Sequence, residues 1–323
     1  MTDFANRLAV VTGGGSGIGR ALVLQLLAAG CRVASCDINA ANLQETRRLA
    51  EAAAESDIAL SLHSCDVADE TAVKRFADEV LQQHAVDHIN LLFNNAGIGG
   101  GGSFINDDRE HWENTFGVCW GGVYNCCRVF VPLLVASADG HVVNVSSVNG
   151  FWACMGPHFP HTAYSAAKFA VKGFSEALRI DCRMNAPHVK VSVVMPGHIG
   201  TSIVINSQEY HGGSDPAELT AEEVDAVRSG WTKINELAQH LTDDQVREQL
   251  IAQPENFRDN APTSAAQAAS IILDGVREER WRILVGDDAV GMDKMVREDP
   301  ENAYELEFFA RMQAGGMFDR TNL

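Results

Sequence analysis

The chain has 323 residues, 46% hydrophobic and 21% charged, with a formal net charge of −18. That much apolar material builds a full core, and the acidity argues against nucleic acid or an anionic membrane as a partner, since both are polyanions. No run reaches the roughly 18 consecutive apolar residues of a bilayer span, and the start "MTDFANRLAVVTGGG" has no export signal, so the expectation is a soluble, cytoplasmic protein with reduced thiols.

Seven short runs rich in Val, Ile and Leu read as strands, at 8–13, 31–37, 59–66, 89–97, 141–147, 189–197 and 281–286. Their near-continuous hydrophobicity predicts a sheet covered on both faces. Helical patterns lie between them, near 18–29, 40–54, 69–84, 109–136, 162–185 and 264–277. This alternation predicts the α/β class: a doubly wound, Rossmann-type parallel sheet of about seven strands. We expect a single domain over 1–323, with an insertion at about 202–260 and a C-terminal extension at about 287–323.

The first strand runs into "TGGGSGIG", where Gly13, Gly15, Ser16, Gly17, Ile18 and Gly19 form a glycine-rich turn leading into a helix. Such a turn brings backbone close to a pyrophosphate, and the helix N-terminus favours the anion. The second strand ends at Asp37, whose carboxylate suits the two hydroxyls of an adenosine ribose and repels a 2′-phosphate. Neither Ser16 nor Ile38 offers a cation, so NAD is favoured over NADP. Asp66 and Val67 close the third strand at the adenine position. Asn95, Ala96 and Gly97 end the fourth, small enough for a cofactor to lie against the backbone.

The fifth strand delivers Ser147, and the next helix carries Tyr164 and Lys168, four residues apart and on one face. A lysine ammonium ~4 Å from a phenol, at an effective dielectric of about 20, favours the phenolate by roughly 4 kcal/mol, or about three pKa units. Tyr164 then trades protons with an alcohol or carbonyl oxygen held by Ser147. His84 and His88 are four apart, but they sit in a polar helix end and read as solvated. None of the eight cysteines forms a C-x-x-C pair, and no metal site is expected.

"TGGGSGIG", "NNAG", "NVSS", "YSAAK" and "PGHIGT", in this order, resemble the classical short-chain dehydrogenase/reductase (SDR) family over roughly 5–200 and 262–286. The resemblance implies a nicotinamide cofactor and hydride transfer at a hydroxyl or carbonyl carbon. It makes Ser147 the substrate-orienting serine and Tyr164 the acid/base. Lys168 becomes the residue that binds the nicotinamide ribose, and Pro196, Gly197, Ile199 and Thr201 hold the carboxamide and phosphates. It also implies a homodimer or homotetramer paired through the helices at 109–136 and 162–185. The loop 149–163 then lines the substrate site, where Phe151, Trp152, Met155 and Phe159 point to a hydrophobic or aromatic secondary alcohol or ketone. His158 and His161 read as surface residues or as contacts for a polar group.

Cys119 departs from the family pattern. Family members read W-x(5)-V-N-x-x-G on this helix; here Trp112, Val118 and Gly122 match and Cys119 takes the asparagine slot. The family asparagine sits at a helix distortion and acts through its backbone carbonyl, which a cysteine also has. Three readings stay open: a tolerated replacement, a loss of turnover that leaves a nucleotide-binding regulatory or scaffold protein, and a redox thiol. A serine hydrolase built on Ser147 lacks the G-x-S-x-G elbow.

The insertion shows capping boxes at Thr220/Glu223 and Thr242/Gln245. Val224, Val227, Trp231, Ile234, Leu237 and Leu241 form one apolar stripe, fitting either a core-completing helical hairpin or a lid. The tail offers Tyr304, Phe308 and Phe309 for packing on the body or on a second subunit.

Overall fold

The computed structural model describes residues 3–54, 59–156, 159–232 and 235–317. His158 and Ile234 lie outside the described residues.

The chain runs β1 (Leu8–Thr12), α1 (Gly17–Ala28), β2 (Arg32–Asp37), α2 (Ala40–Ala53), β3 (Leu60–Ser64), α3 (Glu70–His84), β4 (Leu91–Asn94), α4 (Arg109–Phe116), α5 (Gly122–Val135), β5 (Gly140–Val145), α6 (Thr162–Asn185) and β6 (Val189–Pro196). Then come β7 (Ile199–Gly200), α7 (Ile203–Tyr210), α8 (Ala221–Thr232), α9 (Asp243–Asp259), β8 (Thr263–Ser264), α10 (Ala265–Arg277), β9 (Arg282–Val285), α11 (Asp287–Glu298) and α12 (Leu306–Ala314). The main sheet has seven parallel strands in the order β3-β2-β1-β4-β5-β6-β9, and β7 pairs separately with β8.

Strand geometry explains why both faces are apolar. Side chains alternate along β1, so Leu8 and Val10 enter one core while Ala9 and Val11 enter the other. The first core lies under α3, α5 and α6; the second lies under α1 and α10. Strand order reverses between β1, which continues outward to β2, and β4, which continues to β5 on the other side. At such a switch point the carboxyl ends diverge and leave a crevice.

Three expectations need correction. The 109–136 helix is interrupted by a π-helical turn at Gly117–Gly121, where two glycines weaken the α-helical ladder. By length and composition, Arg109–Val135 also passes for a membrane span, contrary to the sequence reading. Its apolarity has a local cause: Val123, Cys126, Cys127, Phe130 and Leu134 pack into the first core. Third, the apolar stripe of the insertion is not one helix. α8 ends at Thr232, and Asn235 caps a separate 3₁₀ turn by accepting from the Leu237 amide. That new register buries Ala238 and leaves Leu237 exposed. Both capping boxes form, with Thr220 and Glu223 bonding reciprocally before α8 and Thr242 and Gln245 before α9.

Candidate active site

A cleft of about 1080 Å³ opens along the carboxyl ends of the strands, from Asp37 to Met317. At its first end, Thr12 and Asn95 lock the two diverging strands together. Thr12 Oγ1 accepts from the amides of Asn95 and Ala96, each at 3.0 Å, and Asn95 Nδ2 donates to the Thr12 carbonyl at 3.0 Å. Gly13 turns with φ +68°, and a side chain on Gly19 would begin 2.0 Å from the Gly13 carbonyl oxygen. Only glycine lets the helix start this close under the turn.

Ser16 makes no side-chain cap on α1; its hydroxyl instead accepts from Asn206 Nδ2 at 3.0 Å. The first amides of α1 are therefore not capped by Ser16, as an anion-binding helix start requires. Asp37 is fixed by the amides of Gly15 and Asn39, both at 2.9 Å. Carboxylate oxygens carry further lone pairs and still accept from a ribose. Arg20, on the first turn of α1, is turned away: its guanidinium donates to Gly15 O, Asn42 O and Thr46 Oγ1. These residues fit a dinucleotide.

Gly13, Ser16, Gly17, Ile18, Asp37, Asp66, Val67, Asn95, Ala96, Gly97, Pro196, Gly197, Ile199 and Thr201 all border the cleft. Gly15 and Gly19 do not; the first is spent on Asp37 and the second lies beneath Gly13.

Ser147, Tyr164 and Lys168 converge in the middle of the cleft. β5 ends just before Ser147, whose oxygen accepts the Asn149 amide at 3.1 Å. Ser146 donates to the Lys168 carbonyl at 2.7 Å, tying the strand end to α6. Lys168 is buried, donates to the Val145 carbonyl at 3.0 Å, and places its ammonium 5.3 Å from the centre of the Tyr164 ring. Burial pushes the Tyr164 phenol above its ordinary value, while the Lys168 charge and the Ser147 hydrogen bond pull it down. The sequence points to a net fall, from the lysine with an oxidised nicotinamide adding to it, but leaves out burial, and for the protein by itself burial wins. Loss of solvent opposes the phenolate more strongly, so the net direction is upward.

Cys119 sits in the π-helical turn, fully buried, and its thiol donates to the Ile98 carbonyl at 3.1 Å. A side chain on Gly97 would begin 3.5 Å from the Lys168 nitrogen and 3.6 Å from the Cys119 sulfur. The cysteine is thus a near neighbour of the lysine and is closed to solvent, which speaks against a redox thiol.

The far end of the cleft differs from expectation. Trp152 and Met155 border it, but Phe151 and Phe159 do not. Phe151 packs into the cluster formed with the tail, under the Arg282 guanidinium, and Phe159 is exposed. Trp152 is itself fully buried; it packs on Phe308 and Phe309 and donates from Nε1 to the Ala303 carbonyl at 2.8 Å. Its main partner is therefore the C-terminal extension. The Tyr304 hydroxyl oxygen accepts the Ala153 amide at 3.1 Å. His161 is not a surface residue: its ring stacks on that of Tyr164, with centroids 4.7 Å apart and planes 13° apart.

Several cleft residues carried no signal in the sequence reading. α7 brings Asn206, its C-cap brings His211, the tail brings Met292 and Met317, and Asp288 follows the last strand. Asp288 accepts the His198 amide at 2.7 Å and pins the turn after β6; burial pushes its carboxyl above the ordinary range. The "VGDDA" string at the carboxyl end of β9 was the one available hint, since ligands gather at strand ends.

Fold and cleft together define a Rossmann-type oxidoreductase. The family described as short chain dehydrogenase matches over residues 7–211. SadH of Mycobacterium tuberculosis is 34% identical over 297 residues, 92% of each chain. Epidermal retinol dehydrogenase 2 of Homo sapiens is 31% identical over 202 residues, 62% of this chain and 63% of its own. Among solved structures, a short-chain dehydrogenase/reductase from Burkholderia phymatum in complex with NAD superposes with a TM-score of 0.73 at 26% identity, covering 93% of this chain and 96% of that one. A metagenomic short-chain oxidoreductase in complex with NADP gives a TM-score of 0.53 at 31% identity, covering 60% of this chain and 83% of its own. The chain belongs to the short-chain dehydrogenase/reductase family.

Proposed function

We propose that this protein is an NAD-preferring dehydrogenase or reductase of hydrophobic or aromatic secondary alcohols and ketones, with Tyr164 as its acid/base. The observation that carries this reading is the convergence of Ser147, Tyr164 and Lys168 in one cleft continuous with the glycine turn. Nicotinamide, when bound, supplies the hydride acceptor or donor and, when oxidised, a positive charge. Ser147 orients the substrate oxygen. Tyr164 takes its proton in oxidation and returns it in reduction, and Lys168 offsets the charge on the phenolate. Asp37 selects NAD by accepting from the ribose and repelling a 2′-phosphate.

Met155, Met292 and Met317 at the far end support an apolar substrate, and the human relative is named for retinol, a hydrophobic alcohol. The 202–260 insertion acts as a lid within one domain; the bond from Asn206 to Ser16 supports this, because it ties α7 to the cofactor turn. Pairing of α5 and α6 with a second copy is supported by exposed Tyr124, Phe169, Ile180 and Met184. Cys31, Cys36, Cys65, Cys119, Cys126, Cys127 and Cys182 are buried with no disulfide among the described residues, which fits a reducing, cytoplasmic setting.

The test is an NADH-fluorescence screen of hydrophobic secondary alcohols, run with NAD and NADP side by side. Turnover with NAD, and slower turnover with NADP, is the expected result. NAD binding with no turnover across the panel would favour the regulatory reading instead.

A further inference from the structure

α7 opens the insertion and is pinned to two separate parts of the cleft. The Ser207 hydroxyl accepts the Gly99 amide at 2.8 Å, and His211 Nε2 lies 3.0 Å from the Gly99 carbonyl, so one side is held to the loop after β4. On the other side Asn206 Nδ2 donates to Ser16 Oγ at 3.0 Å, a contact between residues 190 positions apart. Asn206, Ser16 and Gly17 all border the cleft. Thr201 narrows the same spot: a side chain on Gly17, whose φ is +51°, would begin 3.1 Å from Thr201 Cβ and Cγ2.

Ser16 is the N-cap of α1, with extended backbone (φ −155°, ψ 176°), and its side chain makes no cap bond. A serine at this position commonly turns its oxygen onto the helix amides. Here Asn206 holds that oxygen instead. Because Ser16 Oγ accepts from Asn206, its hydroxyl hydrogen is left to donate, and Asn206 Nδ2 keeps a second hydrogen. Two side-chain donors therefore sit beside the start of α1, where the helix amides already favour an anion. The Arg20 guanidinium is committed to Gly15 O, Asn42 O and Thr46 Oγ1, so the holding falls to neutral donors.

We propose that Asn206 is a cofactor-binding residue: it sets Ser16 as a donor and, together with it, holds the pyrophosphate of the dinucleotide at the start of α1. This rests on the nicotinamide reading of the cleft. A carboxamide suits the task because its nitrogen gives one hydrogen to Ser16 and keeps one for a phosphate oxygen. A carboxylate of the same shape would do the reverse, taking the Ser16 hydrogen and repelling the anion.

The test is calorimetric titration of ADP-ribose, which carries the pyrophosphate without nicotinamide, into the parent, Asn206→Ala and Asn206→Asp proteins. Asn206→Ala removes the donors and is expected to raise Kd about tenfold. Asn206→Asp keeps the shape but sets an acceptor and a negative charge against the pyrophosphate, so Kd should rise about 100-fold. A purely structural role ranks the two variants the other way, because aspartate still bonds Ser16. That ranking would overturn the proposal, as would a Kd unchanged in both. Ser16→Ala should cost less in the Asn206→Ala protein than in the parent, because the two residues act together; fully additive losses would refute action through Ser16. Binding is read without turnover. If the parent takes ADP-ribose but oxidises no alcohol, the dehydrogenase reading falls by itself and the ranking still decides for Asn206. A parent that binds no ADP-ribose overturns the proposal.

Discussion

At the cofactor end, the cleft wall is mostly main chain, presented by the ends of β1, β2, β3 and β4 and the first turn of α1. The side chains of Thr12 and Asn95 bond only to main chain here, and so fix the backbone of Thr12, Asn95 and Ala96 at the strand ends. At the substrate end, the wall is side chain, gathered from the loop after β5, from α7, from α11 and from the segment after α12. The first end is set by strand geometry shared across the fold. The second is set by which distant segments happen to pack together. Substitutions at the two ends should therefore separate cofactor binding from substrate binding.

The largest effect belongs where the two ends meet. Tyr164→Phe removes the proposed proton carrier and leaves ring packing on His161 and Lys168 intact. We expect kcat/KM to fall between about 10³- and 10⁴-fold, with NAD affinity far less affected. A variant that keeps a tenth of parental activity would show that another group moves the proton.

Next in size is Trp152→Ala. It empties a fully buried indole site and breaks the bond to the Ala303 carbonyl. Truncations of this kind cost about 3–5 kcal/mol, read as a lower midpoint in urea. The tail should loosen, so KM for the alcohol should rise while the dissociation constant for NAD stays within about twofold. Equal weakening of NAD would mean that the two ends are not separable.

Asp37→Ala tests the cofactor end alone. Loss of a charge-assisted contact to the ribose should shift the NAD/NADP preference towards NADP by about tenfold, with kcat for the alcohol little changed. An unchanged ratio would place cofactor selection elsewhere.

These effects follow what the sequence did and did not reveal. The seven strands, the glycine turn, Asp37 and the Ser147, Tyr164, Lys168 set were legible because each depends on local pattern: apolar runs, turn glycines and helical spacing. Glycine roles were harder to divide. Gly19 works beneath the turn instead of facing the cleft, a distinction that appears only once α1 is packed. The substrate loop misled for a similar reason. Phe151 and Trp152 look like substrate contacts in a linear string, but α12, about 150 residues later, covers them. His161 reads as a loop residue until α6 forms and lays it on Tyr164. Burial of the phenol, which reverses the net direction of its pKa, is also a property of the assembled cleft.

A smaller effect lies in the core, away from both ends. His141 is fully buried, with Nε2 2.8 Å from Ser192 Oγ and no partner at Nδ1 among the described residues. Burial depresses its pKa to about 3, against an ordinary value near 6.5. The folded state therefore holds it neutral, while the unfolded state takes up a proton. Its contribution is fully present above pH 6.5 and is lost as pH falls towards 3, with a slope of at most about 1.4 kcal/mol per pH unit. His141→Leu should flatten that limb of a stability–pH curve relative to the parent. Parallel curves would show that acid sensitivity comes from other groups.

The smallest expected effect concerns Cys119, where the cofactor and catalytic groups adjoin. The family pattern places asparagine here and works through the backbone carbonyl of a distorted helix. This chain keeps the distortion as a π-helical turn, flanked by Gly117 and Gly121. The thiol is a weak donor, held on the Ile98 carbonyl at 3.1 Å. An asparagine amide can make the same contact more strongly, but it must fit a site with no exposed surface. Gain and loss oppose each other, so Cys119→Asn should change kcat by less than about threefold and shift stability by about 1 kcal/mol or less. A dead parent revived by the asparagine would mean that the side chain, not the distorted backbone, completes the proton path. The cysteine would then mark a protein that has given up turnover and kept nucleotide binding.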